Sequence, residues 1–175
     1  MMNPKHNKKR HFESKLSLHV VLKAKLNLFN NSRARQMIDS LILKYATYFE
    51  VNVYHRAIVS DHIHLILKSE SKDNLSGFLR VLSAQISLKF RQKKILPQDF
   101  SNIWLKRPWS EVLKWGKRYG TAIQYVALNY LEGMNVIKRT KKKGELAYYS
   151  HPIKKVLTQN LTKLIKTPVQ LSLAV

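Results

Sequence analysis

Between Val51 and Lys68 the chain reads VNVYHRAIV, then Ser60-Asp61, then HIHLILK. Two runs rich in β-branched and other apolar residues are thus separated by a two-residue turn signal. So short a connection predicts a β-hairpin. In its second arm, residues two apart point the same way, so Ile63, Leu65 and Leu67 share one face and suit packing on a helix. His62 and His64 share the other face, with Cα atoms roughly 6–7 Å apart.

The segments on either side carry other periods. Residues 14–25, SKLSLHVVLKAK, alternate as a strand, with Leu16, Leu18, Val20 and Leu22 against Ser17, His19, Val21 and Lys23. Asn30, Asn31 and Ser32 offer N-caps for a helix reaching about Phe49, with Ala34, Met37, Ile38, Leu41, Ile42, Tyr45 and Phe49 at three- and four-residue steps. A second amphipathic helix is expected from about Asn74 to Lys93 on Leu75, Phe78, Leu79, Leu82, Ile86 and Phe90. Residues 94–116 hold two prolines and three tryptophans and predict a loop with one or two short strands. A third helix is expected from about Gly116 to Gly133, with Gly133 as its C-cap. The order β-α-β-β-α-β-α predicts an α+β fold, a ferredoxin-like antiparallel sheet flanked by helices.

At 175 residues the chain has the length of one domain, and 45% hydrophobic residues are enough for a core. The absence of cysteine excludes disulfides, zinc fingers and thiol nucleophiles. The basic start, MMNPKHNKKRHF, lacks the apolar stretch of a signal peptide, and no run has the roughly 18 apolar residues of a membrane span. A cytoplasmic protein without membrane contact is expected. Lys and Arg number 32 against 10 Asp and Glu, a net charge of +22, which predicts a polyanionic partner. That charge is densest at the ends. It divides the chain into a basic arm over 1–11, a core over 12–133 and a basic extension over 134–175.

Two places carry candidate chemistry. His62 and His64 can converge on one divalent cation, or can be ordinary surface or hydrogen-bonded histidines. In the third helix Tyr119, Ala122, Ile123, Val126, Ala127, Tyr130 and Leu131 predict the apolar face. At about 100° per residue, Tyr125 and Asn129 fall to one side of its centre, one turn apart. Tyr125 is therefore the tyrosine of this helix that a core does not explain. A tyrosine oxygen can act as a nucleophile, but its free pKa of about 10 calls for assistance. A metal polarising the target would assist, and an amide oxygen four residues after the tyrosine could ligate that metal.

These residues resemble a family. Tyr54-His55-Arg56-Ala57-Ile58-Val59-Ser60-Asp61-His62-Ile63-His64-Leu65-Ile66-Leu67 is similar to the HUH strand (His, bulky apolar, His) of single-tyrosine transposases, the insertion-sequence 200/605 superfamily. Tyr125-Val-Ala-Leu-Asn129 resembles its tyrosine helix in the form found in the REP-associated branch. Leu18-His19-Val20, Leu75-Ser76-Gly77-Phe78-Leu79 and Trp104-Leu-Lys-Arg107-Pro108-Trp109 also resemble that branch, and together the likeness covers about residues 14–135. Asp61 stands where the family usually has Asn, and Tyr130 where many members have Pro; neither change removes a ligand.

The resemblance implies a DNA strand transferase that cuts single-stranded DNA at hairpins formed by palindromic repeats. It implies Tyr125 as the nucleophile, a 5′-phosphotyrosine intermediate, and His62, His64 and Asn129 as ligands of Mg²⁺ or Mn²⁺, with no small-molecule cofactor. It places the protein in the cytoplasm at the nucleoid, as a monomer or homodimer. Lys8, Lys9, Arg10, Lys106, Arg107, Lys141, Lys142 and Lys143 are the candidate DNA-backbone contacts. Trp104 and Trp109 are candidates for stacking on a base or for a core role. The alternative reading is a catalytically silent nucleic-acid-binding module of the same fold.

Overall fold

A computed structural model describes residues 11–96 and 102–134. Its elements are β1 (Ser17–Lys23), α1 (Ser32–Tyr48), β2 (Val51–Ile58), β3 (His62–Ser69), α2 (Lys72–Gln92), β4 (Trp109–Leu113) and α3 (Lys117–Gly133). The strands form one antiparallel sheet in the order β2-β3-β1-β4. This is the α+β, ferredoxin-like arrangement that the order of periods predicts, with β1 and β3 at the centre.

Local chemistry sets most of the boundaries. Asn31 caps α1, its side chain accepting from the Arg33 N–H, and Ser71 caps α2 by accepting from the N–H groups of Asp73 and Asn74. Asp73 in the first turn of α2 and Lys89 and Arg91 in its last complement the helix dipole. The 94–116 segment yields β4 and an isolated bridge between Ala24 and Trp104.

Alternation along the strands gives the sheet two unlike faces. On one, Leu18, Val20 and Leu22 of β1 and Ile63, Leu65 and Leu67 of β3 are fully buried. They join Ile38 and Ile42 of α1 and Leu75, Phe78, Leu82, Ile86 and Phe90 of α2 in the main core. Each such side chain contributes about 1.5–3 kcal/mol, so this face holds the sheet together. On the other face a small cluster of Ala57, Ile66 and Leu113 meets Ala122, Ile123 and Val126 of α3. With less apolar area under it, α3 relies more on polar and close contacts at its ends.

One of those ends departs from expectation. Gly133 is the last residue of α3 and the cap is Met134, so Gly133 is not a left-handed C-cap. Its lack of a side chain serves close approach instead: a Cβ there would stand 2.7 Å from the Ile58 carbonyl oxygen. Arg35 of α1 donates to the Gly133 carbonyl at 2.9 Å and ties the two helices together. At the other end Gly116 has φ 95°, a conformation that favours glycine.

The buried face of α3 is also turned from the predicted one. Ala122, Ile123, Val126 and Asn129 are buried, whereas Tyr130 is 47% exposed. The reason lies in the sheet. Val126 packs with Ala57 and Ile66 and Gly133 comes against the Ile58 carbonyl, so the line of contact through 122, 126, 129 and 133 turns Asn129 inward and Tyr130 outward.

Candidate active site

The antiparallel register of β1 and β3 pairs Lys23 with His62, Val21 with His64 and His19 with Ile66. Directly paired residues share a face, so His19 joins His62 and His64 on the side covered by α3. The three imidazoles stand in a row. His62 and His64 have ring centroids 5.7 Å apart at an interplanar angle of 14°, and His64 and His19 are 5.5 Å apart at 21°.

Tyr125 reaches this row from α3. Its ring meets His64 edge-on at 5.5 Å and His19 at 6.0 Å. It is 42% exposed, so it touches the histidines while staying accessible to solvent. One turn on, Asn129 is only 6% exposed, and its amide nitrogen donates to the Tyr125 carbonyl at 2.7 Å.

The ring nitrogens have defined partners. His62 Nδ1 lies against Asp61 Oδ1. His64 Nδ1 lies 3.3 Å from His19 Nε2. The Ser60-Asp61 turn is in turn stitched to the chain after β1: the Asp61 carbonyl accepts from Ala24 N at 2.7 Å, and the Ser60 carbonyl from Phe29 N at 2.8 Å. Lys23 Nζ lies 3.8 Å from Asp61 Oδ2.

Burial lowers the pKa of His19 below its ordinary value, against the opposing charge of Glu111, its register partner on β4. Burial thereby favours the neutral form of the ring, in which one nitrogen accepts and the other donates. Glu111 is itself paired with Arg118 of α3.

Sequence reasoning selected His62, His64, Tyr125 and Asn129. The structure sets Tyr125 against His64 and stacks His64 on His62, and it places Asn129 on the buried side of the same helix as Tyr125. It adds His19, which the sequence offered as a polar position in an alternating strand and within a segment resembling the family, but not as a site residue. That alternation was the available signal; which strand lies beside β3 was not. Among the described residues, no three His, Cys, Asp or Glu side chains group as a metal cluster. If His62 and His64 held a cation, the Asn129 amide on the buried side of α3 would be a neutral oxygen donor that could join them. In such a mixed set the imidazoles suit transition metals and the amide oxygen suits Mg²⁺ or Mn²⁺.

Around the row, Trp109 on β4 is 52% exposed and meets His19 edge-on at 5.6 Å. Trp104 is half-buried, its indole N–H donating to the Ser83 carbonyl at 3.0 Å, and it packs against Phe29, so its role is in the core. Lys106 and Arg107 are exposed in the turn before β4. Lys8, Lys9, Arg10, Lys141, Lys142 and Lys143 lie outside the described residues. No helix among the described residues is long and apolar enough to cross a membrane.

The described residues thus form an antiparallel four-stranded sheet with paired histidines at its centre and an accessible tyrosine on the helix above. Residues 12–127 match the IS200-like transposases, and the chain belongs to that family. Among solved structures it is similar to a REP-associated tyrosine transposase bound to a REP hairpin. The identity is 19%, each chain is covered over 76%, and the TM-score is 0.57. It is also similar to a candidate transposase from Deinococcus radiodurans at 16% identity, over 71% of this chain and 98% of that one, with a TM-score of 0.48. A comparison with curated proteins finds no match.

Proposed function

We propose that this transposase is a metal-dependent endonuclease and strand transferase for single-stranded DNA, acting beside hairpins. The observation that carries the reading is Tyr125, half exposed and edge-on to His64 at 5.5 Å, above the face that bears both β3 histidines. His62, His64 and Asn129 would hold Mg²⁺ or Mn²⁺. When bound, such a cation supplies Lewis-acid polarisation of the scissile phosphate.

The chain's own residues do the rest. Tyr125 Oη attacks the phosphorus of a phosphodiester. The Oη–P bond forms as the bond from phosphorus to the 3′ oxygen breaks; the phenol proton passes to solvent, and the leaving oxygen takes one up as a free 3′-OH. The 5′ phosphate stays on Tyr125 as a diester. A 3′-OH attacking the same phosphorus then reverses the exchange and releases the tyrosine. One ester replaces another at each step, so no nucleotide triphosphate is consumed. The Asn129 bond to the Tyr125 carbonyl keeps nucleophile and ligand in register on one helical turn.

The hairpin held by the similar REP-associated protein supports hairpin DNA as the substrate class. The domain of residues 12–133 would carry the chemistry. The basic segments 1–11 and 134–175, with Lys8, Lys9, Arg10, Lys106, Arg107, Lys141, Lys142 and Lys143, would track the phosphate backbone. Trp109, exposed beside His19, is the tryptophan suited to stacking on a base. The protein would work at the nucleoid in the cytoplasm, as a monomer or homodimer.

The test is incubation with hairpin-bearing single-stranded DNA and Mn²⁺, followed by a denaturing gel. A covalent protein–DNA adduct is expected from the wild type and not from Tyr125→Phe, His64→Ala or chelator-treated protein. An undiminished adduct in Tyr125→Phe would refute the nucleophile. Absence of any wild-type adduct with such DNA would favour a silent binding module.

A further inference from the structure

The two β3 histidines are engaged at the same ring nitrogen by side chains from two different elements. Asp61, in the β2–β3 turn, takes His62 Nδ1. His19, on β1, takes His64 Nδ1 with its Nε2 at 3.3 Å. A carboxylate only accepts, so with Asp61 beside Nδ1 the neutral form of His62 would carry its proton on Nδ1 and its lone pair on Nε2. The His64–His19 contact admits either direction by tautomer; the one that leaves the His64 Nε2 lone pair free has Nδ1–H donating to His19 Nε2.

Neither partner is loosely placed. The Asp61 backbone is bonded to Ala24 N, and its second carboxylate oxygen faces Lys23. His19 is buried between Trp109 and Tyr125, each edge-on to its ring. A metal-bound histidine is ordinarily oriented this way, through its other nitrogen, by a group that is not itself a ligand. Here both rings of the pair have such a group.

We propose that Asp61 and His19 are positioning residues: by holding Nδ1 of His62 and His64 they turn Nε2 of each ring toward a shared divalent cation. The inference rests on the reading of His62 and His64 as cation ligands. It adds two residues for which the functional reading has no task, and it explains why a histidine is buried on β1 and an aspartate closes the hairpin.

The experiment is a titration of the full chain with Mn²⁺ alone, followed by electron paramagnetic resonance without DNA. Asp61→Ala and His19→Leu should bind Mn²⁺ about 10–100-fold more weakly than wild type. Asp61→Asn and His19→Gln keep an oxygen that can accept from Nδ1–H, and they should recover most of that loss. Wild-type affinity in Asp61→Ala and His19→Leu, alongside lost affinity in His64→Ala, overturns the positioning roles and leaves the metal reading intact. A wild type that does not bind Mn²⁺, or a His64→Ala that binds it equally well, overturns both.

A second measurement needs no substitution. Nitrogen-15 spectra of the imidazoles in metal-free wild type should place the proton of His62 and His64 on Nδ1. An Nε2–H form at either ring overturns the assignment for that ring, whether or not His19→Leu folds.

Discussion

Tyr125 and Asn129 stand one turn apart on α3 in opposite environments, and their substitutions should separate accordingly. Tyr125 is half exposed and lies outside the apolar cluster under α3. Tyr125→Phe should therefore change unfolding stability by no more than about 0.5 kcal/mol while abolishing the covalent adduct. Ser17 shows the reverse relation. Its hydroxyl is buried on the α3 side of β1 with no hydrogen-bond partner among the described residues. Ser17→Ala should leave DNA chemistry unchanged and raise stability by up to about 1 kcal/mol in denaturant unfolding. Histidine burial adds a pH dependence. Desolvation lowers the pKa of His19 and His55 below the ordinary 6.5, so the unfolded chain binds more protons than the folded one as the pH falls. The stability they contribute is complete above about pH 6.5 and is lost as the pH falls through their folded values. Unfolding at pH 8 and pH 5 should show this loss, and His55→Gln should reduce it.

At the scale of elements, α3 has two glycines with opposite demands. A Cβ at Gly133 would collide with the Ile58 carbonyl, whereas one at Gly120 would meet nothing within 4 Å. Gly133→Ala should cost about 1–3 kcal/mol, because backbone must move to admit it. It should also slow adduct formation, since Tyr125 rides on the same helix. Gly120→Ala should stabilise by about 0.4–1 kcal/mol, because it only removes freedom from the unfolded chain. Thermal unfolding of the two variants checks both signs. The sequence placed Gly133 at the helix end correctly and gave it the wrong task. Helix termination is a local event, but contact with β2 depends on where α3 lies on the sheet.

For the molecule as a whole, net charge of +22 makes any DNA affinity salt-dependent. Replacing Lys8, Lys9 and Arg10 by alanine together should weaken binding to single-stranded hairpin DNA. It should also flatten the slope of log affinity against log salt by about 2, because each single-strand phosphate left unneutralised removes roughly 0.7. Filter binding across a salt series measures this. A slope identical to wild type would mean that the arm does not touch the DNA backbone. The charge selects a class of partner and says nothing of the reaction.

By itself the sequence determined everything that follows from local geometry. The period of two places His62 and His64 on one face of a strand, the period near 3.6 places Tyr125 and Asn129 one turn apart, and the alternation of these periods sets the order of elements. Such relations are carried by covalent spacing and need no partner. Only the tertiary structure decided what depends on pairing between distant segments. The sheet order set β1 beside β3 and so brought His19 to His64 across 45 positions of sequence. The docking of α3 on a half-polar sheet face buried Asn129 and left Tyr130 in solvent. No local period encodes either result, because strand neighbours and helix rotation are selected by the total fit of the two sheet faces to their helices.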